Sequence, residues 1–350
     1  MKLLSNETYR QDVARVAGGA HDWNRLRGAH VVISGASGMI GSFLVDVLMA
    51  HNLGRGLDCT IQALARDPGR LHERFASYGD HPNLVLTSLD VTNHPLPIAS
   101  ADYVIHGASN THPLAYAADP IATIMTNVQG TYALADLAVR CEARRLLLLS
   151  SVEIYGENHG GARFAETDMG HLDSNSLRAG YPESKRVSEA LSQAFRAQHN
   201  LDVVIARLPR VFGPTMREDD TKAAAQFLRG AVAGEDIPLK SAGHQNFSYG
   251  YVADVVAAIL TCLLAGETGE AYNVAHPSCD IRLKDLARII AEVAGTRVVF
   301  TPPSDLERRG FSKATLATMD GAKLAALGWQ PAYEIREAIE RTVKVLKEVA

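Results

Sequence analysis

Paired cysteines are missing from this chain. Of its 350 residues only four are cysteine: Cys59, Cys141, Cys262 and Cys279 lie far apart, with no CxxC pair. That spacing argues against a disulfide framework and against zinc ligation, so no metal is expected. It fits a reducing compartment, and a cytoplasmic protein is expected. No apolar run reaches the length of a membrane span, so no membrane partner is expected. Met1-Lys2-Leu3-Leu4 leads into polar residues, not into the apolar core of a signal peptide. A basic surplus is absent too, the formal net charge being −4, which speaks against nucleic acid as a partner. Neither an internal repeat of about 20–50 residues nor a low-complexity linker is visible. What remains is a chain with 47% apolar residues, enough to bury a large core, and longer than one typical domain.

Residues 1–28 precede the first strand, and Tyr9, Val13 and Val16 recur at helical spacing, which predicts a short amphipathic helix packed on the main body. Ala29-His30-Val31-Val32-Ile33-Ser34 then reads as a buried strand. Gly35-Ala36-Ser37-Gly38-Met39-Ile40-Gly41 follows, and Phe43, Leu44, Val47 and Leu48 continue as an apolar helix. Strand, glycine turn and helix in that order suit a dinucleotide: glycines let the backbone approach the pyrophosphate, and first-turn amides carry partial positive charge toward it. A carboxylate at the end of the second strand would bind the ribose 2′-hydroxyl of NAD, but the sequence there is Ala65-Arg66-Asp67. Arg66 suits the 2′-phosphate of NADP, Asp67 is a displaced selector for NAD, and a solvated Arg66 is the bland alternative; the reading leans to NADP. Asp90 and Val91 end the third strand beside the adenine. The fourth strand ends in His106-Gly107-Ala108-Ser109 near the phosphates, with His106 read as a packed side chain. Strands alternating with helices on this scale predict an α/β fold with a doubly wound parallel sheet.

Two further stretches carry chemistry. A fully apolar strand, Leu146-Leu147-Leu148-Leu149, delivers Ser150-Ser151-Val152-Glu153-Ile154-Tyr155-Gly156. Downstream, Tyr181-Pro182-Glu183-Ser184-Lys185 places a phenol and an ammonium four apart on one helix face. A nearby ammonium favours phenolate, and a phenol pKa lowered from about 10 toward neutral makes a base for an alcohol proton.

With GASGMIG, TNVQGT, SSVEIYG, YPESK, RVFGP, YGYVADV and LGW in this order, the chain resembles an extended short-chain dehydrogenase/reductase of the NAD-dependent epimerase/dehydratase family, from about Val31 to Trp329. The resemblance implies a Rossmann sheet with a smaller C-terminal α/β substrate domain. The expected bounds are 1–28 for a helical extension, 29–206 plus about 247–275 for the dinucleotide domain, and 207–246 plus 276–350 for the substrate domain. It implies NAD(P) held by Gly35, Ser37, Gly38, Met39, Ile40, Gly41, Arg66, Asp90, Val91, Gly107, Ala108, Ser109, Asn127, Lys185 and Pro209. Tyr181 would be the base at the sugar C4 hydroxyl, Lys185 would hold the nicotinamide ribose and lower the tyrosine pKa, and Ser151 would bond the reacting oxygen. Thr111, Arg210 and Lys313 are substrate-side candidates. A nucleotide sugar is the expected substrate, and pairing of the helices 121–139 and 181–198 with a second copy implies a homodimer.

Glu153 separates the reactions within the resemblance, because 4,6-dehydratases and UDP-glucuronate decarboxylases are similar in carrying glutamate there. A carboxylate buried beside the sugar would have a raised pKa and shuttle a proton. Val152 stands where dehydratases have an aspartic acid, which leaves decarboxylation the nearer relative. Other positions depart from the pattern. Arg210 takes the place of an asparagine, Phe247 that of a diphosphate-gripping arginine, and Ala317 that of a second arginine implicated in decarboxylases. Arg210, Lys240, Lys313, Arg308 and Arg309 are candidates to replace them. The expected function is C4 oxidation to a 4-keto intermediate followed by decarboxylase- or dehydratase-type chemistry. An epimerase or an NADP-dependent reductase is the alternative, and a non-catalytic dinucleotide sensor the remote one.

Overall fold

The protein is described from a computed structural model over residues 3–111, 118–158, 160–303 and 315–349. Strands β1 (His30–Ser34), β2 (Thr60–Ala65), β3 (Leu84–Ser88), β4 (Tyr103–His106), β5 (Arg145–Ser151), β6 (Val203–Leu208) and β10 (Ala271–Asn273) form one parallel sheet. Its order is β10-β6-β5-β4-β1-β2-β3, the doubly wound arrangement of a Rossmann fold. Alternation along the strands explains why both faces are covered. Val31, Ile33, Ile61, Leu147 and Leu149 turn to one apolar cluster, with Phe43, Leu44, Val47 and Leu48 of the helix Met39–Arg55. Val32, Leu64, Val104, Leu146 and Leu148 turn to the other, with Leu134, Leu137 and Ala138 of the helix Pro120–Arg140 and Phe195 of the helix Gly180–His199. Strands buried on both faces read as unbroken apolar runs, and β5 has no exposed residue.

A smaller body is built around β9 (Asn246–Tyr251), which pairs with β7 (Arg210–Phe212), β11 (Asp280–Arg282) and β13 (Leu316–Ala317). A two-stranded ladder, β8 (Ile237–Leu239) with β12 (Val298–Phe300), completes it beside the helices Ala223–Val232, Leu283–Ala294 and Ile335–Val349. The sequence sends the strand near Tyr249 back to the dinucleotide half. In the structure β9 stays in the small sheet, and the return is made by the helix Val252–Ala265, which packs on β5 and β6.

The helix Glu7–Ala17 buries Tyr9, Val13 and Val16, the positions expected from their spacing. Its buried Asp12 accepts from Tyr251 Oη (2.6 Å), Tyr333 Oη (2.8 Å) and Arg341 Nε (2.8 Å), joining the N-terminus to the last helix. Among the described residues no helix is long and apolar enough to cross a membrane.

Candidate active site

The switch in strand order between β1 and β4 opens a crevice at the carboxyl ends of the strands, where such sheets bind their ligands. The cavity there has a volume of about 480 Å³. One end is lined by the glycine turn, and the other by Ser151, Glu153, Arg178, Tyr181 and Arg210.

At the first end Gly35 has φ +73°, and a β-carbon on it would lie 2.8 Å from Gly107 and Ala108. A β-carbon on Gly41 would lie 2.4 Å from the Gly35 carbonyl oxygen, so this residue lets the helix sit against the turn. Gly38 caps the helix Met39–Arg55 with no side-chain bond, which leaves the first-turn amides of Met39, Ile40 and Gly41 for an anion. Such a cradle fits a dinucleotide pyrophosphate. Ser34 Oγ accepts from the Gly107 and Ala108 amides (3.1 and 3.2 Å), so its own proton goes to His106 Nδ1 at 2.9 Å. Burial and the nearby Lys185 ammonium push the His106 pKa down to about 3. His106 is thus a neutral packing residue, as its place at a strand end suggests.

Gly35, Ser37, Gly38, Met39, Ile40, Gly41, Arg66, Val91, Gly107, Ala108, Ser109, Thr111, Lys185 and Pro209 all line the cavity. Two others face elsewhere. Asp90 Oδ1 accepts from Thr92 N and Thr92 Oγ1 (2.9 and 2.8 Å), closing its own turn. Asn127 is fully buried and donates to Ser184 Oγ at 2.8 Å, joining the helices Pro120–Arg140 and Gly180–His199. Asp67 caps the helix Pro68–Phe75 by accepting from Arg70 N (3.0 Å), while Arg66 reaches Asn110 Oδ1 at 3.5 Å. Lys313, Arg308 and Arg309 lie outside the described residues, as does the run from His112 to Tyr116.

The second end is assembled from two short caps. Ser151 ends β5 and accepts from Glu153 N at 3.2 Å, starting the 3-10 turn Val152–Tyr155 that aims Glu153 into the cavity. Ser176 caps the 3-10 turn Leu177–Ala179, which runs directly into the helix carrying Tyr181 on its first turn. Beneath this floor, Glu189 pairs with Arg207 at 2.8 Å and accepts from Ser150 Oγ; Arg207 also donates to Tyr155 Oη at 2.9 Å. Lys185 is 3% exposed and donates to the Leu149 carbonyl at 2.9 Å. Burial, opposed by Glu189, brings its pKa down to about 8.

Two electrostatic expectations are reversed. Burial raises the Tyr181 pKa to about 12 in spite of the hydrogen bond to Ser151, and the Glu153 carboxylate adds to the rise. Lys185 does not lower it, its ammonium being turned to the Leu149 carbonyl. Glu153 is expected to be raised and is instead held below the usual carboxylate range. Burial pushes it up, but Arg178 Nη2 at 2.8 Å and Arg210 Nη2 at 3.4 Å overcome that. Arg178 escapes the sequence reading, although an arginine three residues before the candidate base is a signal that could have been read.

A doubly wound sheet, a glycine cradle for a pyrophosphate, and a buried serine, tyrosine and lysine at its open end define an enzyme of the extended short-chain dehydrogenase/reductase class. The NAD-dependent epimerase/dehydratase family model matches residues 31–275, and the chain belongs to that family. It is 31% identical to UDP-glucuronic acid decarboxylase 3 of Arabidopsis thaliana over 88% of this chain and 86% of that one. UDP-glucuronic acid decarboxylase 1 of Xenopus tropicalis is 30% identical, over 91% of this chain and 72% of its own. Among solved structures, UDP-glucose 4-epimerase of Thermotoga maritima, with UDP-glucose, superposes with TM-score 0.79 at 21% identity, over 91% of this chain and 99% of that one. A dTDP-glucose 4,6-dehydratase of Streptomyces venezuelae with NAD bound gives 0.78 at 23%, over 91% and 97%.

Proposed function

We propose that this enzyme decarboxylates a nucleotide-linked uronic acid by way of a 4-keto intermediate. The observation that carries the reading is Glu153, partly buried beside Ser151 and Tyr181 and bracketed by two guanidinium groups. The similarity to UDP-glucuronic acid decarboxylases supports it. Ser151 Oγ and Tyr181 Oη, joined by a hydrogen bond, meet the C4 hydroxyl oxygen, and Tyr181 takes its proton. A bound oxidised nicotinamide supplies the hydride acceptor and a positive charge that opposes the upward shift on Tyr181. The 4-keto group then draws in the electron pair left on C5 when the carboxylate departs as carbon dioxide. A proton returns to C5, with Glu153, ionised between its two guanidinium partners, placed to relay it from solvent. C4 takes its hydride back as Tyr181 returns the proton to the oxygen, so the net change is loss of carbon dioxide alone. Val152 offers no acid for expelling a hydroxyl, which favours decarboxylation over dehydration.

Arg66 and Arg70 on the cavity wall, with Asp67 spent on its helix cap, support NADP as cofactor. Ile121, Met125, Tyr132 and Val187 stay exposed on two adjoining helices and support a homodimer through that face. We read the two sheets as a dinucleotide domain (29–206 plus 252–275) and a substrate domain (207–251 plus 276–350) in a cytoplasmic enzyme, the strand 246–251 going with the small sheet it pairs in. Incubation with UDP-glucuronate and either cofactor, followed by mass spectrometry, tests the reaction. A product lighter by one carbon dioxide is expected; an isomer of unchanged mass with inverted C4 would assign epimerisation instead.

A further inference from the structure

Strand order in the small sheet brings three positions together that are distant in the chain. Phe247 on β9 is the register partner of Ala317 on β13. Further along, β9 also pairs with β7, where Arg210 is the register partner of Tyr249. From there the Arg210 guanidinium reaches over the Phe247 ring, 3.9 Å from its centroid. The apolar Phe247–Ala317 pair thus carries no charge of its own, and a positive group is laid across it from the neighbouring strand. This guanidinium faces the cavity with Ser151, Glu153 and Tyr181.

Its present partnership is incomplete. Arg210 Nη2 is 3.4 Å from Glu153 Oε1, at the long edge of hydrogen bonding, whereas Arg178 holds the other oxygen at 2.8 Å. Arg210 Nε is buried with no hydrogen-bond partner. A half-buried guanidinium with an unused donor and a loosely held counter-charge is prepared for a second anion, and a planar carboxylate matches its fork.

Resting on the reading of a nucleotide-linked sugar at this site, we propose that Arg210 is the specificity-determining residue that binds a carboxylate on the sugar carbon next to the one oxidised. Glu153 holds its place until the substrate arrives. An incoming carboxylate accepts from Nε and from the donor now shared with Glu153, leaving Glu153 to Arg178 alone. A neutral hydroxymethyl group at the same carbon cannot make this exchange. Phe247 is the platform that fixes the guanidinium plane.

The test is calorimetric binding of UDP-glucuronate and UDP-glucose to the protein loaded with reduced cofactor, which cannot accept the C4 hydride. Wild type is expected to favour the uronate by roughly ten- to a hundredfold, the scale of one charge-assisted pair. Arg210→Gln should weaken the uronate by that factor and leave the neutral sugar unchanged, and Arg210→Lys should restore part of the preference. Glu153→Gln removes the competitor and should tighten the uronate several-fold without affecting UDP-glucose. Equal weakening of both sugars in Arg210→Gln, or no selective gain in Glu153→Gln, overturns the assignment to Arg210 and leaves the nucleotide-sugar reading standing. Failure of wild type to bind either nucleotide sugar overturns both.

Discussion

Replacing Glu153 by glutamine preserves the shape of the side chain and removes the negative charge between Arg178 and Arg210. Each charge-assisted contact is worth about 1.5–3 kcal/mol when formed at good distance. The 2.8 Å contact to Arg178 qualifies and the 3.4 Å contact to Arg210 falls short. The side chains of Glu153, Arg178 and Arg210 are 17%, 19% and 27% exposed, so some water reaches them. A loss of ~2–3 kcal/mol is therefore expected, below the ~3–5 kcal/mol for breaking a fully buried pair. In a chain of 350 residues that lowers Tm by roughly 3–4 °C. The pH dependence gives the sign. Glu153 is depressed in the folded state, so its contribution is present above the unfolded pKa and is lost as pH falls through the folded one. The difference in Tm between wild type and variant should shrink on acidification below the ordinary carboxylate range. On the chemical side, a rapid scan of the nicotinamide band with UDP-glucuronate should show reduced cofactor appearing and persisting. Product formation should fall much further than the first hydride transfer. An unchanged Tm together with equal losses in both steps, or none, would refute the reasoning about this carboxylate.

Tyr181→Phe should lower turnover by on the order of a hundredfold or more, the scale of general-base loss, with cofactor binding retained in a fluorescence titration. Asp254 is raised to about 6 by burial, so its contribution is full below the unfolded pKa and is lost as pH rises through about 6. Asp254→Asn should remove that part of the pH dependence from a denaturation series. Asp12→Ala leaves Arg341, Tyr251 and Tyr333 without their shared acceptor and should cost ~3 kcal/mol in denaturant unfolding, while turnover per folded molecule stays near wild type.

Much of this arrangement is legible in the sequence because it is local. The glycine turn, the apolar strand before Ser151 and the tyrosine and lysine one helical turn apart are patterns within a few residues of each other. The helices expected at 121–139 and 181–198 are observed at Pro120–Arg140 and Gly180–His199. What the sequence hides depends on pairing at long range. The β7-β9-β13 register that sets Arg210 over Phe247 pairs Arg210 with Tyr249 and Phe247 with Ala317, residues far apart in the chain. The shift of Glu153 could be predicted only by knowing that two guanidinium groups meet it, one of them Arg178, since burial alone gives the opposite sign. Asp90 and Asn127 belong to motifs that suggest the cofactor, yet their side chains close a turn and join two helices. A one-dimensional pattern fixes where such a residue lies along the chain, not which way it faces.

The central claim, oxidation at C4 followed by loss of the neighbouring carboxylate and return of the same hydride, is tested most directly by isotope transfer. UDP-glucuronate deuterated at C4 would be turned over once by the cofactor-loaded enzyme, with carbon dioxide and the nucleotide-sugar product both analysed. The account predicts one carbon dioxide per product and deuterium kept at C4, because the hydride leaves and returns within one site. Product that retains its carboxylate, or deuterium found in released cofactor, would contradict it.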